Sequence, residues 1–231
     1  MIRVVGIQNC ELETFGAYAV TLSSMPEIEL DIVHAYRGEE LPAAEDCDFV
    51  LVGGTPISAW NASRHEFLAL ELDFLRELIV QQIPALGICC GAQMLAMLLG
   101  AEVSRAETME VGAYSAQRAD TGADDPALAG FPDEFPVYHW HGDTFGVPTG
   151  GTLLATGSGC RNQMFRVGPV VGVQFHLETE PDERAAWAAA YGADLEAAGT
   201  TAAAAVCEDP ERQMERLELA SRLITNLLES C

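Results

Sequence analysis

Three short apolar runs, 2–7, 49–52 and 85–88, are continuous rather than alternating, which predicts buried parallel strands. Residues 29–33 alternate and predict a further strand. Between these runs the period changes. Phe67, Leu68, Leu70, Leu72, Leu75, Leu78 and Ile79 recur every three to four positions and predict an amphipathic helix that ends before Pro84. A second helix is expected after Gly91, built on Met94, Leu95, Met97, Leu98 and Leu99 and stopped by Gly100. Strands alternating with helices in this way predict an α/β fold: a doubly wound, mostly parallel sheet flanked by helices.

The second half is richer in strands. Runs 135–140, 152–155, 164–167 and 170–175 are separated by Gly and Pro turns, and 166–170 reads as a hairpin. From Pro181 the pattern becomes helical and rich in alanine. One helix is expected over 185–198 and another over 210–228, where Met214, Leu217, Ala220, Ile224 and Leu228 form one stripe. The expected organisation is therefore a domain over 1–198 and a linker with a C-terminal helix over 199–231. Such a stripe suits packing back on the domain, a homodimer contact or a partner contact.

Charge narrows the partners. Thirty-five acidic residues face twelve basic ones, all arginine, for a net charge of −23. That surface repels nucleic acid and anionic membranes. No run of about 18 apolar residues is present, and the N-terminus reads directly as a strand without the features of an export signal. A cytoplasmic location is expected. Acid excess without lysine also fits a high-salt cytoplasm, in which case transfer to low salt should unfold the protein. Seven cysteines at 10, 47, 89, 90, 160, 207 and 231 show no zinc-type CxxC pairing and predict no disulfide framework.

Candidate chemistry centres on Leu86-Gly87-Ile88-Cys89-Cys90-Gly91-Ala92-Gln93. An apolar strand runs into a cysteine, then a glycine, then a helix. This is the layout of a nucleophile elbow, which lifts one side chain above a sheet. A helix start favours negative charge and offers unpaired N–H groups to a developing oxyanion. Two buried cysteines at a strand end would leave the same local pattern.

The spacing Gly87-x-Cys89-x-Gly91-x-Gln93 resembles the signature of class I glutamine amidotransferases. Gly172-Val173-Gln174-Phe175-His176-Leu177-Glu178 resembles that family's histidine–glutamate segment, with Leu177 where proline is usual. Val52-Gly53-Gly54-Thr55-Pro56 resembles its oxyanion loop, with Thr55 where a proline often follows the glycines. The run 91–112 and His139-Trp140-His141-Gly142-Asp143-Thr144-Phe145 are similar to free-standing, GMP synthase-like amidotransferases. The likeness covers about residues 1–190 in order.

The resemblance implies a flavodoxin-like fold and a Cys-His-Glu triad: Cys89 as nucleophile, His176 as base and then acid, Glu178 as its orienting partner. It further implies an oxyanion hole from the N–H groups of Gly54 and Cys90. Gln93 and the His141, Gly142, Asp143 turn are implied to hold the substrate. The implied substrate is glutamine or another γ-glutamyl compound, with no cofactor and no metal. Ammonia would pass to a synthetase partner, of which GMP synthase is one candidate. A Gly-x4-Gly-Lys phosphate loop is impossible without lysine. Two other readings stand beside this one: a γ-glutamyl peptide hydrolase with the same triad, and a non-catalytic regulatory or binding protein on the same fold. His139, His141 and Asp143 alternate like metal ligands, but spacing supplies no fourth ligand.

Overall fold

The computed structural model describes residues 1–230. Strand β1 (Ile2–Gln8) leads through helix α1 (Gly16–Ser24) to β2 (Ile28–His34) and β3 (Phe49–Val52). Helix α2 (Glu66–Gln81), β4 (Ala85–Ile88) and helix α3 (Cys90–Leu98) follow. Next come β5 (Val103–Arg118), β6 (Glu134–Phe145), β7 (Thr152–Thr156), β8 (Asn162–Val167) and β9 (Val170–Val173). Four helices close the chain: α4 (Pro181–Ala190), α5 (Gly192–Ala197), α6 (Ala202–Val206) and α7 (Pro210–Glu229).

The nine strands form one mixed sheet in the order β2-β1-β3-β4-β9-β8-β7-β5-β6. Pairing is parallel from β2 to β9 and antiparallel beyond. Strands β1, β3 and β4 are covered on both faces over their apolar runs, while edge strand β2 alternates and is half exposed. Val4, Leu51 and Leu86 face a core shared with Tyr18 and Leu22 of α1 and Leu219, Leu223 and Ile224 of α7. Their neighbours Val5, Val50 and Ala85 face the opposite core, with Leu68, Leu72, Leu75 and Leu78 of α2 and Met94 and Leu95 of α3. Side chains one apart on a strand point to opposite faces, so each strand feeds both cores.

Several elements differ from the sequence pattern. Helix α1 has no clear periodic signal; alanine, threonine and serine dilute its apolar face. Strand β5 is long and equally unmarked, because its outer half alternates irregularly and its register with β6 shifts between Arg105 and Glu110. The expected helix over 185–198 starts earlier and breaks at Tyr191, dividing into α4 and α5. The expected linker contains α6.

The C-terminal helix packs back on the sheet. Asp209 caps it by accepting from the Glu211 and Arg212 N–H groups at 3.0 and 3.2 Å, and Pro210 opens it. Its stripe is offset from the one read in sequence: Met214 is exposed, while Arg216, Leu219, Ala220, Leu223, Ile224 and Leu227 are buried. Among the described residues, no helix is long and apolar enough to cross a membrane.

Candidate active site

Strand β4 is buried between β3 and β9 and ends at Ile88, so Cys89 emerges at the carboxyl edge of the sheet. Its backbone has φ 52° and ψ −112°, a left-handed value that a non-glycine residue rarely adopts. The turn is held from both sides. The Cys89 N–H donates to Val173 O at 2.8 Å, and the Cys89 carbonyl accepts from Gln93 N at 3.1 Å. Glycines on either side permit the tight packing. A Cβ on Gly87 would lie 2.7 Å from Ala92 N, and one on Gly91 would lie 2.2 Å from Val52 O. Gly-x-Cys-x-Gly spacing is therefore a packing requirement as well as a motif.

His176 and Glu178 follow β9, which lies beside β4. The His176 backbone exchanges two hydrogen bonds with Tyr138 of β6, at 2.8 and 3.0 Å, which pins the segment across the sheet. His176 Nδ1 lies 2.7 Å from Glu178 Oε1, and both side chains are buried. The imidazole also stands edge-on to Trp187, 5.0 Å between ring centroids, and lines one cleft with Cys89, whose thiol is directed at Trp140 O, 3.8 Å away. Burial alone would lower the His176 pKa. The Glu178 charge, the neighbouring Cys89 and the hydrogen bond to Glu178 prevail and hold it well above the ordinary value.

The other residues implied by the motifs surround the thiol. A Cβ on Gly54 would lie 3.6 Å from Cys89 Cβ, so that loop borders the sulfur. Cys90 is the first residue of α3, where an N–H has no intrahelical acceptor. Its own thiol is buried and directed at Ile57 O, 3.2 Å away; burial, reinforced by neighbouring Cys89, pushes its pKa far up. Gln93, His141, Gly142 and Asp143 line the same cleft, the last three as part of strand β6 rather than as the expected turn, because the pairing with β5 continues past them to Phe145. Gln93 Nε2 is already engaged, donating to Asp143 O at 3.2 Å and to Gln174 Oε1 at 3.1 Å.

Residues 20–188 match the family described as glutamine amidotransferase class-I. The chain belongs to that family. It is 34% identical over 183 residues to the glutamine amidotransferase-like protein YfeJ of Salmonella typhimurium, covering 77% of this chain and 76% of that one. It is 34% identical over 159 residues to a subunit of the glutamine-hydrolyzing GMP synthase of Saccharolobus solfataricus, covering 68% and 79%. It spans only about a quarter of the longer GMP synthases that it also matches. A crystal structure of a glutamine amidotransferase from Thermotoga maritima superposes with a TM-score of 0.89 at 30% identity, covering 99% and 98%.

The amidotransferase cleft also contains residues to which the sequence pattern assigns no role. Gln174 Nε2 donates to Cys89 Sγ at 3.7 Å. Trp140, Trp187 and Tyr191 form an aromatic wall, with Trp140 Nε1 donating to Asp194 Oδ2 at 2.9 Å. Trp187 and Tyr191, four apart in an alanine-rich stretch, were the available signal. Arg105 pairs with Asp143 at 3.2 Å. Glu13, from the loop after β1, is half-buried against Gly54 and accepts from Tyr191 Oη at 3.2 Å. Burial outweighs the opposing effects of His176 and Tyr191 and pushes the Glu13 pKa up to about 7.

Proposed function

We propose that this amidotransferase hydrolyses the side-chain amide of glutamine through a cysteinyl thioester. The observation that carries the reading is the buried Cys89–His176–Glu178 array, with the cysteine held at positive φ on a helix start. Cys89 is the nucleophile. Its sulfur attacks the amide carbon, and the carbonyl oxygen gains the negative charge facing the Gly54 and Cys90 N–H groups. His176 takes the thiol proton and returns it to the departing nitrogen, so the C–N bond breaks and ammonia leaves. A water, deprotonated by His176, then attacks the thioester carbon; the C–S bond breaks and glutamate and the thiol are regenerated. Glu178 holds the imidazole in register and stabilises its cationic form.

The zwitterionic end of glutamine is matched by opposite charges in the cleft. Arg105 suits the α-carboxylate and Asp143 suits the α-ammonium, near the end of β6 with His141 and Gly142. Gln93 acts as a positioning residue for that strand end. The ammonia is destined for a separate synthetase chain, a reading supported by the relative named as a GMP synthase subunit. Comparing ammonia release from glutamine by wild type and Cys89→Ala tests the core claim. The substitution should lower turnover by at least about 1000-fold with the fold retained. Undiminished ammonia release by the variant would sink the nucleophile assignment.

A further inference from the structure

Behind the cleft, Glu110 of β5, His141 of β6 and Cys160 of the loop before β8 converge. All three are buried, and one potential ligand atom from each lies within 4.8 Å of the others. His141 Nδ1 is 3.0 Å from Asp143 O. A carbonyl oxygen only accepts, so Nδ1 carries a hydrogen and the neutral ring presents a lone pair at Nε2. That nitrogen lies 3.1 Å from Glu110 Oε2. The approach lacks hydrogen-bond alignment, and both atoms are buried with no hydrogen bond among the described residues. A neutral imidazole and a carboxylate facing each other in a buried place are costly unless a proton or a metal cation lies between them, and the misaligned approach suits a metal better than a shared proton.

The surroundings are those of a ligand set. Metal-bound histidines commonly donate their second N–H to a carbonyl or carboxylate, as Nδ1 does here. Thr144 Oγ1 lies 2.9 Å from Cys160 Sγ and can donate to a thiolate. The backbone of the loop closes directly over the carboxylate: a Cβ on Gly159 would lie 2.5 Å from Glu110 Oε1. One sulfur, one imidazole nitrogen and one carboxylate oxygen form a borderline donor set suited to zinc. Ligand atoms about 3.3 Å apart are expected around a tetrahedral zinc with bonds near 2.0–2.3 Å, close to the nitrogen–oxygen separation present.

We propose that Glu110, His141 and Cys160 bind one zinc ion, with water completing the coordination. The ion would clamp β5, β6 and the loop before β8 together and fix the end of β6 that carries Asp143 into the cleft. This inference stands apart from the amide chemistry. Chelator-treated full-length protein should be titrated with zinc and with cobalt(II), using wild type, Cys89→Ala, Cys160→Ala and Glu110→Gln. Wild type and Cys89→Ala should each retain one equivalent of zinc after dialysis and show thiolate-to-cobalt charge-transfer absorption. Cys160→Ala should lose that absorption, and both it and Glu110→Gln should bind zinc at least about 100-fold more weakly, the upper end of what losing an outer-shell partner costs. No retained zinc in wild type would overturn the proposal. So would binding that disappears in Cys89→Ala and survives in Cys160→Ala, since the metal would then sit on the cleft thiol.

Discussion

Gln174 links Cys89 to the far wall of the cleft. Its Nε2 donates to Cys89 Sγ at 3.7 Å, while its Oε1 accepts from Gln93 Nε2 at 3.1 Å. Gln93 in turn donates to Asp143 O at 3.2 Å. Two glutamine amides thus connect the sulfur to the end of β6 proposed to hold the substrate. Gln174→Ala should lower turnover about 10–100-fold, the equivalent of one hydrogen bond to a charged group. The rate of Cys89 alkylation should change with it, and a thermal scan should show a folded protein. An unaltered alkylation rate and turnover would mean that the contact to sulfur has no chemical role.

Gly16 is where the fold bears directly on Glu178. It has φ +37°, and a Cβ there would lie 2.1 Å from Glu178 O. The adjacent Ala17 N–H donates to that same oxygen at 3.0 Å. Gly16→Ala should destabilise the protein by more than about 1–3 kcal/mol, since backbone strain and a collision act together. It should also lower turnover by moving Glu178. Gly38→Ala is the matched control: it has φ +78° but open space around it. That variant should cost about 1–2 kcal/mol from the left-handed backbone alone and leave turnover unchanged. Equal behaviour of the two variants in denaturant melts and assays would remove the argument.

Glu71 makes stability depend on pH. It is buried on α2, accepts from Asn9 Nδ2 at 3.0 Å, and burial pushes its pKa up to about 8 despite that hydrogen bond. Asn9 also donates to Gly53 O at 3.3 Å, so the pair supports the glycine loop beside Cys89. Between about pH 4.5 and 8 the folded state holds a proton that the unfolded chain has released. The unfolded state binds fewer protons there, so this group's contribution to stability falls as pH rises. Glu71→Gln mimics the neutral form. It should stabilise the protein at pH 8 by about 1–3 kcal/mol, with the gain shrinking toward pH 5. Melting curves at both pH values decide it; a gain independent of pH would contradict the protonated assignment.

Arg216 of α7 is fully buried and reaches the segment that carries His176 and Glu178. It donates to Leu177 O at 2.7 Å and to Thr179 O at 2.9 Å, and pairs with Glu208 at 3.0 Å. Glu208 also pairs with buried Arg184. Arg216→Leu leaves two carbonyls without donors and weakens the neutralisation of Glu208. A loss of about 3–5 kcal/mol is expected in urea unfolding, as for other broken buried pairs. A loss below about 1 kcal/mol would show that the network contributes little.

Most of the parallel half was legible because a strand covered on both faces must be continuously apolar, as 2–7, 49–52 and 85–88 are. The convergence of Cys89, His176 and Glu178 was legible because tight packing fixes the glycines around the cysteine and a short segment carries both other residues. Strand β5 was not, since a strand partly exposed and shifted in register at Arg105–Glu110 has no simple period. Glu13 and Arg105 were equally hidden, while Gln174 lies in the histidine–glutamate segment but has no role that the segment assigns. Each reaches the cleft through tertiary placement, and a lone carboxylate, amide or guanidinium in a sequence carries no mark of its destination. The Glu110, His141 and Cys160 convergence depends on three separated segments meeting, so spacing along the chain obscured it.

The two carbonyls gripped by Arg216 lie immediately before and after Glu178. The rear helix therefore holds the acidic member of the proposed triad by its backbone at both ends, like a yoke. Any tilt of that helix is transmitted to the carboxylate, and from there to the imidazole paired with it. An event on the outer side of α7, beside exposed Met214, thus has a mechanical route through the shared core to the chemistry at the sheet edge.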